Sequence, residues 1–199
     1  MKQEFLINPN MRINTPHLRV TWICATQYEA AEATDSSKTE RCEVKGRCHI
    51  VTHHDGRELT IVYTAETDFS NVKIHRWLQE RMKRAIIETA NRVLPLRVAE
   101  LELYSGLKAK KLTIKKLRKA YGRCFANGQI QLDPIIAVAP QEFADEVILH
   151  ELTHLVHFNH GKKFWELLSK LTGHDAKSTK SIDDIGMSPI WIYCKYILK

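Results

Sequence analysis

The stretch that decides the fold runs Pro140-Gln141-Glu142-Phe143-Ala144-Asp145-Glu146-Val147-Ile148-Leu149-His150-Glu151-Leu152-Thr153-His154-Leu155-Val156-His157-Phe158. Pro140 suits a first helical turn, and Glu142 with Asp145 places negative charge near a helix N-terminus. Phe143, Val147, Leu152 and Leu155 or Val156 repeat as an apolar stripe, so the spacing predicts a helix from Gln141 to Phe158. Residues four apart share a helical face, so the imidazoles of His150 and His154 can meet one zinc ion. Glu151 lies beside that face. There a carboxylate can take a proton from an activated water and return it to a leaving group.

With ten His and fifteen Glu in 199 residues, HExxH arises by chance in roughly one such chain in 25. A hydrolytic site also needs a third protein ligand and an open fourth position. His157, His160, Glu166 and His174 follow the motif. His157 would lie about 10 Å along a straight helix from His150, too far to close a site with both histidines. His160 stands between Asn159 and Gly161, residue types that break a helix and fold the chain back, and it ranks first. Glu166, on the helix expected from Lys163 to Leu171, ranks second, and His157 last.

Upstream, Leu78, Met82 and Ile86 mark a helix over Val72 to Leu94, with Pro95 its end or a kink. A short helix over Leu96 to Tyr104 is expected next, closed by Ser105-Gly106. Gly128 to Asp133 reads as a strand, as does the region of Leu112 and Ile114. Its position before the active helix suggests a cleft wall with an exposed edge. His17 to Ala25 alternates as a strand, and Val44 to Thr52 with Glu58 to Thr64 reads as a hairpin turning at Asp55-Gly56. Glu29 to Glu43 is polar and expected to be mobile. The apolar tail from Ile185 to Leu198 is expected to dock as a strand or extended segment. The fold class is therefore α+β, a small β-sheet packed on the HExxH helix, which the hairpin extends or caps. Residues 1–43 form an N-terminal extension, 44–178 the catalytic domain, and 179–199 a docking C-terminal segment.

Composition narrows the function. Hydrophobic residues make up 44% and charged residues 27%, which permits a core and excludes global disorder. No apolar run approaches bilayer length, and Met1-Lys2-Gln3-Glu4 lacks a secretory pattern, so a cytoplasmic location without a membrane partner is expected. Five scattered cysteines do not form a disulfide framework. Cys42, Cys48 and His49 lack the paired CxxC of a second metal site. The formal charge is +7, and Leu103 to Leu132 holds no acidic residue. Lys108, Lys110, Lys111, Lys115, Lys116, Arg118, Lys119 and Arg123 could steer nucleic acid, although base-stacking aromatics are not interleaved with them. Neither Rossmann nor phosphate-loop glycine patterns are present.

Ala139 to Leu155, followed by Asn159-His160 and Phe164-Trp165, closely resembles the YgjP-like metallopeptidase family, itself similar in outline to SprT-like and WLM zinc proteases. Tyr121-Gly122-Arg123-Cys124 stands where that family has Trp-Gly-Ser-Cys, followed by the strand through Gly128, Ile130 and Leu132. Tyr121, Arg123 and Asp133 depart from the family's usual tryptophan, serine and asparagine. The resemblance covers about residues 72–173. It implies a zincin-like domain with Zn2+ held by His150, His154 and His160, Glu151 as the catalytic carboxylate, and a peptide or protein substrate. Nucleoside triphosphate pyrophosphatase activity has also been assigned to members, and stands as one alternative. A non-catalytic zinc-stabilised binding module is the other, disfavoured because a structural site needs no base.

Overall fold

Alternating apolar residues pair two distant segments of the chain into one sheet. In the computed structural model, which describes residues 6–26, 39–177 and 189–198, the chain forms two compact units. One comprises residues 1–89 with 193–199, the other residues 90–192.

The first unit holds strands β1 (Ile13–Asn14), β2 (Arg19–Cys24), β3 (Thr39–Val44), β4 (Arg47–His54) and β5 (Glu58–Tyr63), ordered β1-β2-β5-β4-β3. β2 and β5 run parallel, in register Val20 with Leu59 and Trp22 with Ile61, and the other pairs are antiparallel. Val20, Ile50, Leu59 and Ile61 are buried. The hairpin turns where expected: the Asp55 carboxylate accepts the Arg57 and Glu58 amides at 2.9 and 2.8 Å. A second turn was not foreseen. Lys45 and Gly46 both have positive φ, 52° and 74°, as a two-residue turn matched to strand twist requires. Val44 therefore closes β3, and β4 begins at Arg47. Thr39 to Glu43, expected to be mobile, is strand; residues 29–38 lie outside the described residues. The hairpin belongs to this five-stranded sheet and does not extend the one beside the HExxH segment.

Helix α1 (Val72–Ser105) is continuous where a helix, a break and a short helix were expected. Asn71 caps it, its side chain accepting the Lys73 and Ile74 amides at 3.0 and 3.4 Å. Ile74, Leu78, Met82 and Ile86 are buried in the first unit, and Ala90, Leu94, Val98 and Leu101 continue the period in the second. Pro95 points to solvent between buried Leu94 and Val98, so the stripe holds the helix through it. The chain ends in helix α4 (Pro189–Ile197), replacing the expected extended tail. Buried Cys194, Ile197 and Leu198 have the three- and four-residue spacing of a helical face.

In the second unit, β6 (Lys111–Ile114), β7 (Gly122–Cys124) and β8 (Gln129–Leu132) are ordered β6-β8-β7, with β8 parallel to β6 and antiparallel to β7. The strand expected to offer a free edge is thus central, and β7 is the edge packed against α2 (Gln141–Thr153). Buried Asp133 anchors the connection, accepting the Leu117 and Ile135 amides at 2.7 and 3.0 Å with Lys116 at 3.2 Å. A buried 3-10 turn, Pro134–Val138, leads into α2. Helix α2 stops at Thr153, short of Phe158, because Val156 and Phe158 are exposed and no apolar stripe holds a further turn. Helix α3 (Lys162–Thr172) returns the chain and ends at Gly173 in the left-handed conformation. Arg97 of α1 grips Asp145 of α2 with two bonds of 2.6 Å. Among the described residues, no helix is long and apolar enough to cross a membrane.

Candidate metal centre

Three elements of the second unit bring three imidazoles together. His150 sits in the last turn of α2, His154 caps that helix, and His160 stands in the turn before α3. Each offers a ring nitrogen, and these atoms all lie within 4.8 Å of one another. The His150 and His160 Nε2 atoms stand 3.0 Å apart. Donors around one tetrahedral ion, at about 2.0–2.1 Å from it, are spaced a little over 3 Å apart, so the triad fits such an ion. His157 is outside the group, and exposed Glu166 instead meets Lys162 at 3.6 Å.

Aromatic packing surrounds all three rings, and burial acts on two of them. Phe164, fully buried, places its ring centroid 4.9, 4.6 and 4.6 Å from those of His150, His154 and His160. Burial, with the neighbouring histidines adding to it, pushes His150 down to about 4. Burial also lowers His154. Neutral imidazoles are what a metal requires. The His154 Nδ1–H donates to the His157 carbonyl at 3.1 Å, leaving Nε2 as the free lone pair. Trp165 stacks on His160 at 5.6 Å and donates its indole N–H to the His160 carbonyl at 2.9 Å.

Glu151 is 6% exposed and lies against β7. Burial pushes its carboxyl up to about 7, offset in part by the Cys124 backbone N–H and the charge of Arg123. Arg123 itself is exposed and stands 5.9 Å over the Phe125 ring. Tyr121 packs edge-on against Phe143 at 5.3 Å, a structural role. The Cys124 thiol bonds to the Phe125 carbonyl, and burial together with the Glu151 charge pushes it up, away from a thiolate. Two contributors were missed in the sequence. The His157 carbonyl, a backbone atom, carries no residue signature. Gly122, whose absent side chain borders Glu151, was legible only as part of the Tyr-Gly-Arg-Cys element.

No curated protein matches the chain significantly. Among solved structures, the chain is similar to the metallopeptidase zymogen abylysin of Pyrococcus abyssi, with 22% identity and a TM-score of 0.36. That similarity covers 45% of this chain and 84% of the other. The sequence itself is more telling: residues 17–184 match the family model of the YgjP-like metallopeptidase domain, and the chain belongs to that family.

Proposed function

We propose that the protein is a zinc-dependent peptidase in which His150, His154 and His160 hold the ion and Glu151 is the general base. The observation that carries this reading is the convergence of three imidazoles beside a buried carboxylate on the adjoining residue. Three ligands leave one tetrahedral position open, as a catalytic site requires and a structural one does not. Zinc, when bound, polarises the scissile carbonyl and acidifies the attacking water. Glu151 accepts that water's proton on a carboxylate oxygen as the water oxygen adds to the carbonyl carbon. It then passes the proton to the peptide nitrogen as the C–N bond breaks. Its burial beside Gly122 and the Cys124 N–H holds the carboxylate in one place for both transfers.

The sheet supports this role for Glu151. Phe125 donates to Gln129 and Tyr121 accepts from Asp133, so the odd-numbered residues of β7 turn toward β8. Gly122 and Cys124 therefore turn outward, where the Cys124 N–H meets the Glu151 carboxylate and sets the proposed base at this edge. A groove of about 790 Å³ lined by His160, Trp165, Glu166 and Lys170 has room for side chains.

The test compares zinc-loaded wild type with Glu151→Gln on casein. The variant is expected to keep its zinc and lose at least ~100-fold in rate, the usual worth of a general base. Wild-type rate in the variant would falsify the base. Hydrolysis of nucleoside triphosphates alone, abolished in the variant, would keep the metal centre and replace the substrate class.

A further inference from the structure

Gly122 departs from the other described glycines in why it is glycine. Gly46, Gly56, Gly106 and Gly173 have positive φ and open space around them, Gly128 has positive φ beside the flexible Lys110 side chain, and Gly161 has open space. Gly122 has no positive φ, so its backbone would accept any L-residue. What excludes a side chain there is Glu151. A Cβ on Gly122 would lie 2.5 Å from Glu151 Cγ, 2.7 Å from Oε1 and 2.8 Å from Cδ. Real Cβ atoms do not approach other heavy atoms so closely, so either the carboxylate or the strand must move.

The geometry points to Gly122 as a positioning residue for the proposed general base: its missing side chain is the room in which the Glu151 carboxylate stands. This rests on the reading of Glu151 given above. The two neighbours of that space are unequally held. β7 is fixed by its ladder with β8, by the 2.8 Å bond from the Asp133 amide to the Tyr121 carbonyl, and by the 2.9 Å bond from Phe125 to Gln129. The carboxylate is held by the Cys124 N–H at the end of a side chain with rotatable bonds. A methyl group at 122 therefore displaces the carboxylate and leaves the strand in place. The three atoms such a methyl group meets first all belong to Glu151, and the three imidazoles, backed by Phe164, keep their positions. The loss falls on proton transfer, with zinc and substrate binding preserved.

The experiment takes zinc-loaded wild type, Gly122→Ala and Glu151→Gln through crystal structures and casein kinetics. In Gly122→Ala the carboxylate is expected to leave the Cys124 amide while the histidines stay in place. A kcat loss of about 100-fold with KM within about twofold is expected beside it, as for a misplaced base. A carboxylate still on the Cys124 amide, or a wild-type kcat, overturns the proposal. Full activity in Glu151→Gln removes the base assignment instead, and the carboxylate's position then decides the role of Gly122 alone. If Gly122→Ala does not fold, Gly122→Ala/Glu151→Ala is expected to fold, because the atoms in conflict are gone. Failure of that double variant also overturns the proposal.

Discussion

Glu151 and His150 are chain neighbours whose burial moves their protons in opposite directions. Glu151 rises from 4.5 to about 7 on folding, so between those values the folded chain holds the proton more tightly. Its contribution to stability therefore falls as pH rises through that window. His150 drops from 6.5 to about 4, so there the unfolded chain binds the extra proton and stability rises with pH. In metal-free protein the two slopes oppose each other. Glu151→Gln removes the falling one, and the variant is expected to gain up to about 3 kcal/mol over wild type between pH 4.5 and 7. Urea titrations of EDTA-treated protein across that range check this; parallel curves would refute it. For the metal itself, His160→Ala should weaken zinc affinity beyond the ~10–100-fold that loss of a supporting hydrogen bond costs. His157→Ala keeps the backbone carbonyl that orients His154, and calorimetric zinc titration should find it close to wild type. The sequence ranks the two residues in the same order. The straight-helix distance that ranks His157 last does not apply, since α2 ends at Thr153, whereas the Asn159-His160-Gly161 break does return His160 to the other two imidazoles.

Elements are legible in the sequence where a buried stripe is long, as in α1, and harder to read at their ends and in the short tail. The α1 pattern was found, but Pro95 was given more weight than the buried Leu94, Val98 and Leu101 around it. The Lys45-Gly46 turn was missed because lysine rarely adopts positive φ, so nothing but the glycine announced it. The central place of β8 follows from pairing with β6, a parallel partner that local alternation cannot reveal. Pro95 retains a cost despite its tolerance, since it withholds a helical N–H. Pro95→Ala is expected to stabilise the protein by about 1–3 kcal/mol, read from the denaturation midpoint at unchanged slope. A lower midpoint would mean that the proline is needed for the helix's course.

At the scale of the molecule, the eight basic residues between Lys108 and Arg123 are all exposed, and one of them, Lys116, meets buried Asp133. Lys116 should therefore be left alone, since a glutamate there would face a buried carboxylate. Lys115→Glu, Arg118→Glu and Lys119→Glu together change the formal charge by two apiece, from +7 to +1. If this run binds nucleic acid, affinity for a DNA duplex falls steeply with added salt and is lost in the triple variant, and absence of binding at low salt leaves it a solubilising surface. Binding that survives the reversals would assign the charge to solubility alone. The stack of Trp165 on His160 has an optical consequence. An indole 5.6 Å from a ring whose electrons are shared with a cation cannot emit as it does beside a free imidazole, so occupancy should alter its fluorescence. Trp165 is one of four tryptophans, and Trp165→Phe should silence the change while retaining a stacked ring. The protein thus carries its own dye for the ion, one that can be followed in a stopped-flow cuvette before any substrate is known.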